Sequence, residues 1–144
     1  MDGQPQLRII RATDEHIELL ARMNKQLIED ERHENPMNVE QLAERMRGFL
    51  STTYSAWLFM AGDEVKGYAL VDHARDPLYL RQFFICRECR REGWGRRSFH
   101  LLLRELGTDT IDIDVLVWNT RGRRFWEALG FAERSIRMRY GAGR

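Results

Sequence analysis

From residue 17 to residue 28 the apolar positions fall three and four apart: Ile17, Leu20, Ala21, Leu27 and Ile28, with Asn24 on the same line. That spacing predicts a helix with one buried stripe. Thr13, just ahead of it, predicts an N-cap. The stripe ends in "DERHENP", where Pro36 and two nearby asparagines predict a loop. A second helical stripe follows in Val39, Leu42, Ala43, Met46, Phe49 and Leu50. From residue 55 the pattern changes to short apolar runs rich in aromatic and branched residues. "SAWLFMA", "VKGYALVDH" and "LYLRQFFI" predict three strands, the first two joined by a tight turn at "GDE". Phe99, Leu102, Leu103 and Leu106 return to helical spacing, and Gly107 predicts its end. "TIDIDVLVW" alternates as a strand, "TRGRRFWEAL" reads as a short helix stopped by Gly130, and "FAERSIRMRY" reads as a closing strand. The order β, α, α, three β, α, β, α, β over 144 residues predicts one α+β domain, residues 1–144, with a mixed sheet.

Charge sharpens this picture only locally. The net charge is +1, so the chain as a whole is not built to hold a polyanion, and no nucleic-acid reader motif appears. Residues 12–47 hold nine acidic and five basic side chains, whereas residues 87–97 hold five arginines against two glutamates. Cys86 and Cys89 are too few for a disulfide framework or a structural zinc site. No apolar run has the length of a membrane span and no signal peptide is visible, so a cytoplasmic protein is expected.

The arginines sit in "CRECRREGWGRRSF", between a predicted strand and a predicted helix. Glycines there let the backbone turn sharply and approach a ligand. The helix start adds unpaired amides and the positive end of the dipole, which together suit a phosphate. Arg90, Arg91, Arg96 and Arg97 add charge of the right geometry. A nucleoside triphosphate loop is excluded, because no Gly-x-x-x-x-Gly-Lys-Ser/Thr run exists. The dinucleotide fingerprint is nearly met, with Ser98 in its last place and Asp112 and Asp114 further on. That motif normally opens its fold, and here it arrives after 90 residues.

Arg90-Arg91-Glu92-Gly93-Trp94-Gly95 resembles the Arg/Gln-x-x-Gly-x-Gly/Ala signature of the GNAT superfamily of acyl-CoA-dependent N-acyltransferases. "NTRGRRFWEALGF", residues 119–131, is similar to the family's later Asn-x-x-Ala-x-x-Phe-Tyr-x-x-x-Gly-Phe motif, with Asn119, Phe125, Gly130 and Phe131 matching. The resemblance spans nearly the whole chain. It implies a mixed, mostly antiparallel sheet of about six to seven strands flanked by about four helices. It also implies an acetyl-CoA co-substrate, no metal, and direct transfer to a primary amine of a small molecule or peptide. Neither a nucleic acid nor a membrane is implied.

By the same resemblance Arg91, Glu92, Gly93, Trp94, Gly95 and Arg96, with Arg90, are expected to receive the coenzyme A diphosphate, mostly on backbone amides. Phe83, Phe84 and Ile85 are expected beside the pantetheine arm, with the Ile85 amide donating to the thioester carbonyl. Asn119 and Trp126 are expected as cofactor contacts, and Asp114 as a candidate base. The loop with Asp30, Glu31 and His33 falls on the acceptor wall and suits an ammonium group; His33 is a second candidate base. Many relatives carry an acid tyrosine where this chain has Trp126, whose indole is no proton source. Tyr68, Tyr79, Tyr140, water or an unassisted thiolate are the alternatives, and so is a non-catalytic acyl-CoA-binding module. A homodimer through strands near the C-terminus stays open.

Overall fold

The computed structural model describes residues 6–90 and 93–141, in two compact units, Met1–Asp114 and Val115–Arg144. The first unit holds one five-stranded sheet ordered β1 (Leu7–Arg11), β2 (Tyr54–Ala61), β3 (Glu64–Asp72), β4 (Leu78–Ile85) and β5 (Ile111–Asp112). β1 to β4 are antiparallel neighbours, and β5 runs parallel to β4. The β2–β3 hairpin closes through Gly62 and Asp63, with Gly62 at φ +61°. In the β3–β4 register Leu70 faces Gln82 and Val71 faces Leu80, so Arg81 is an extra residue in a bulge.

Three helices complete this unit: α1 (Ile17–Asp30), α2 (Val39–Leu50) and α3 (Trp94–Leu106). Thr13 caps a single 3₁₀ turn, Asp14–His16, that leads into α1, and Asn38 with Gln41 forms a capping box on α2. The whole predicted stripe of α1 is buried. Ile17, Leu20 and Leu27 of it pack with Met46 of α2 against Leu58, Met60, Tyr68, Leu70 and Phe84 on one sheet face, and Ala21 and Ile28 pack with Leu42 of α2. The alternate residues face the other way, where Phe83 lies between Phe59 and Phe99 of α3, at 5.6 and 6.3 Å. Gly107 adopts φ +67° and donates to Leu103 O, ending α3 as its position predicts.

The second unit carries α4 (Thr120–Ala128), closed by Gly130 at φ +107°. The Trp126 ring lies edge-on to Phe125 and Phe131, at 4.8 and 5.1 Å.

The strand count differs from the six to seven expected. Among the described residues the sheet has five strands. Of "TIDIDVLVW" only Ile111 and Asp112 pair, and "FAERSIRMRY", residues 131–140, forms no strand. Alternation states which side chains share a face; a strand also needs a neighbouring backbone.

Candidate functional site

The site begins where the sheet opens. β4 meets β5 only at Leu78–Ile111 and Tyr79–Asp112. Beyond Tyr79, no strand among the described residues borders that edge of β4. The Cys86 N–H donates to Lys66 O at 2.8 Å, toward β3. Backbone groups alternate along a strand, so the N–H groups of Phe83 and Ile85 point to the open edge. The Ile85 carbonyl is held on that edge by Arg90 Nε, at 2.8 Å.

Gly67 of β3 lets the two backbones meet here. A Cβ at Gly67 would lie 2.0 Å from the Phe84 carbonyl oxygen. A glycine inside the run "VKGYAL" is the sequence signal of such an approach.

The turn after β4 is pinned by charge. Asp30, the last residue of α1, accepts from Arg90 Nη2 at 2.5 Å and from Arg87 Nε at 3.0 Å. Arg87 also reaches Glu29 at 3.2 Å, and these carboxylates raise its pKa further. The Arg90 guanidinium stands 5.3 Å over the Phe84 ring. Arg90 therefore braces the turn against β4 and α1. Replacing Asp30 with asparagine is expected to weaken coenzyme A binding about tenfold, read by calorimetry, because two partly exposed ion pairs hold the turn in shape.

Gly93 caps α3 at φ +81°, with no side chain capping the helix. The first intrahelical bond runs from Arg97 N to Gly93 O at 3.1 Å, so the amides of Gly95 and Arg96 find no carbonyl within the helix. Arg96 and Arg97 are exposed beside them. Arg97 and Lys66 stand over the ring of buried Trp94, at 4.8 and 5.6 Å, so this tryptophan offers its backbone rather than its ring. Arg91 and Glu92 lie outside the described residues. A Cβ at Gly93 meets nothing within 4 Å. Gly93→Ala is therefore expected to cost only the left-handed backbone penalty, about 1 kcal/mol, with Gly93→Asn milder, both read from urea denaturation.

The acceptor candidates separate. His33 is exposed, and its Nδ1 accepts from the Asn35 amide at 3.2 Å. Glu31 is half-buried just past α1, where burial first and Asp30 second push its carboxyl up to about 7. Its charge acts on Tyr68, whose hydroxyl donates to Gln82 of β4 at 2.7 Å. Burial first, then Glu31, holds Tyr68 well above the ordinary phenol range. Arg45 of α2 donates to buried Asn24 at 3.2 Å, and its Nε is buried without a partner. Burial, then Arg81, lowers the Arg45 pKa. A polar group thus lies inside the α1–α2 face of the sheet, beside the middle of β4.

Asp114 is brought to Tyr79, whose hydroxyl donates to its Oδ2 at 2.7 Å. Burial, then this bond, pushes Tyr79 up to about 12, so the phenol keeps its proton. Six residues of strand separate Tyr79 from Ile85, about 20 Å. The structure does not bring Asp114 to the Ile85 amide. Asn119 Oδ1 caps α4 by accepting from Gly122 N at 3.0 Å, and a Cβ at Gly122 would meet the Asn119 amide at 2.4 Å. Burial pushes the Cys86 thiol up to about 11, which disfavours a thiolate nucleophile. Among the described residues no group of three or more His, Cys, Asp or Glu stands together as a metal site. Among the described residues no helix is long and apolar enough to cross a membrane.

Residues 13–140 match the family model described as an acetyltransferase (GNAT) domain. The chain belongs to the GNAT acetyltransferase family. Its fold is similar to that of an aminoglycoside N-acetyltransferase in complex with CoA, at TM-score 0.77 and 17% identity, covering 99% of both chains. It is also similar to a possible acetyltransferase from Clostridium difficile 630, at TM-score 0.76 and 16% identity, covering 94% of this chain and 96% of the other. A predicted acetyltransferase with acetyl-CoA from Clostridium acetobutylicum gives TM-score 0.72 and 14% identity, over 94% and 96% of the two chains. No curated protein matches. The two glycines and the arginines are the sequence signals of this turn and helix start. Gly67 had a weaker signal, and the joint hold of Asp30 on Arg87 and Arg90 had none.

Proposed function

We propose that the protein is an acetyl-CoA-dependent N-acetyltransferase acting on a primary amine. The observation that carries this reading is the continuity of donors: the open β4 edge with the Ile85 N–H leads into the Gly93 turn and the uncapped start of α3. These groups fit a carrier with a diphosphate at one end and a thioester at the other. The CoA and acetyl-CoA complexes of its structural neighbours support the choice.

The thioester supplies the acetyl group. The Gly95 and Arg96 amides and the Arg96 guanidinium neutralise the diphosphate. The Ile85 amide donates to the acyl oxygen as negative charge builds there, and the Phe83 amide, two residues earlier on the same edge, faces the pantetheine arm. An ammonium acceptor must lose a proton before its nitrogen attacks, because a lysine-like amine has a pKa near 10.4. Glu31 takes that proton: its raised pKa lies near neutral pH, where a general base works best. Asp30 steers the approaching cation while bracing the turn. The C–N bond forms, the C–S bond breaks, and the second proton that the nitrogen sheds on becoming an amide reaches the leaving thiolate, directly or through water.

Incubation with acetyl-CoA and a panel of polyamines, amino acids, aminoglycosides and peptides tests this, with release of free thiol as the readout. Tight coenzyme A binding without thiol release for any amine would favour the non-catalytic module. Absence of binding would end both readings. Asp114→Asn is expected to leave kcat within about twofold, because Asp114 sits at the far end of β4 and general-base loss costs about 10²-fold or more. A hundredfold loss in kcat on that change would return the base role to Asp114.

A further inference from the structure

We propose that the acceptor carries a carboxylate several bonds from its amine, and that Arg45 of α2 and Arg81 of β4 hold it. The inference rests on the N-acetyltransferase reading and names the acceptor class of that same site. The two guanidiniums gather at one ring: Arg45 stands 5.5 Å and Arg81 5.0 Å from the centroid of Phe49. The bulge in β4 brings Arg81 there. In a regular strand Arg81 and Gln82 would point to opposite faces. Here Arg81 reaches Phe49 and Tyr54 on the α1–α2 face, with its Nη1 donating to the Tyr54 hydroxyl at 3.4 Å, and Gln82 accepts from Tyr68 on that same face.

Two cations gathered in this way repel. Burial, and after it Arg81, lowers the Arg45 pKa. Among the described residues neither guanidinium pairs with a carboxylate, whereas Arg47, Arg87 and Arg90 each do. Arg45 donates instead to neutral Asn24, and its Nε is buried with no acceptor. A buried donor left in that state costs free energy until an acceptor reaches it. A carboxylate matches the guanidinium fork, so one bound anion would both relieve the repulsion and satisfy the donor. The acids of the site stand apart from this pair, Asp30 at the end of α1 and Glu31 just past it. Glu31 and Arg45 act on the buried Tyr68 hydroxyl in opposite senses. An acceptor with an amine at one end and a carboxylate at the other is oriented by both signs of charge. Arg81 precedes Ile85 by four residues of β4, about 13 Å along the strand. That separation favours an ω-amino acid or a short peptide over an α-amino acid, whose two charges are one carbon apart.

Steady-state acetyl transfer to ε-aminocaproate against its methyl ester, and to triglycine against its C-terminal amide, is the test. The acids are expected to be preferred about thirtyfold in kcat/KM. Arg45→Gln and Arg81→Gln, each checked by circular dichroism, are expected to bring that preference to within about threefold of parity. A purely structural role would slow acid and neutral partner equally and keep the ratio, which would overturn the proposal, as would parity in the parent. Transfer at parity leaves the N-acetyltransferase reading standing, so the two fail separately. Should Arg45→Gln not fold, exposed Arg81 carries the comparison. Should no amine be acetylated, calorimetry with ε-aminocaproate on the coenzyme A-saturated protein decides. Binding that Arg81→Gln weakens about tenfold supports the arginine site. Absent binding, or binding that the change leaves as it was, overturns it.

Discussion

Gly67→Ala is expected to destabilise the protein by about 3 kcal/mol and to lower kcat/KM for acetyl transfer about a hundredfold. The added Cβ would lie 2.0 Å from the Phe84 carbonyl oxygen, 3.0 Å from its carbon and 3.1 Å from Ile85 Cα. All three are backbone atoms, so no side chain can rotate aside. β3 and β4 must separate, and the strain falls in the range of overpacked cores. The same movement displaces Ile85, whose amide the proposed reaction uses, and small misplacements of a donor are costly in rate. Thermal unfolding measures the first effect, as a drop of roughly 10 °C; steady-state kinetics measures the second. Gly48→Ala is the control. That glycine lies in α2 with nothing within 4 Å of where a methyl group would sit, so alanine there is expected to add up to about 1 kcal/mol of stability. Equal effects at the two glycines would mean that the close approach of β3 to β4 has no energetic weight.

Glu31→Gln is expected to make the protein more stable and less active. Burial raises the Glu31 pKa from 4.5 to about 7 in the fold. Between those values the folded state binds more protons than the unfolded state, so stability from this group is present below pH 4.5 and is lost as pH rises through 7. The full shift, reduced for the part of the side chain that meets water, amounts to about 2 kcal/mol at pH 8. Glutamine has no charge to bury. The variant should gain about that much over the parent at pH 8 and nothing at pH 4, measured by urea unfolding. As a base, the carboxylate must be ionised, so kcat/KM of the parent is expected to rise with pH and level above about 7, and kcat of the variant to fall by about 10² to 10³ with that inflection lost. A variant that is stabilised yet fully active would leave Glu31 a buried acid without a catalytic part.

These two residues differ in how far the sequence announced them. Gly67 interrupts a strand pattern, and that interruption was visible. Which carbonyl it admits was not, because the register of β3 on β4 depends on the bulge at Arg81. Glu31 was visible as one acid in an acidic loop. Its distinction from Asp30 and His33 came from burial beside Tyr68, 37 positions along the chain. Asp114 was visible as a carboxylate ahead of Asn119, and its partner Tyr79, 35 positions away, was not.

The buried stripe of α1, the ends of α3 and α4 at Gly107 and Gly130, the hairpin turn and the glycine turn at Gly93 are all legible in the residues themselves. Each follows from the conformational range of a residue and its neighbours within one turn or one strand. Assembly of the chain settled the rest: which strands found partners, why residues 131–140 did not form one, and which carboxylate met which arginine, phenol or apolar wall. Those outcomes join groups 35 to 60 positions apart. Local periodicity reports the faces a segment can bury, whereas the identity of the surface that buries them is a property of the assembled chain.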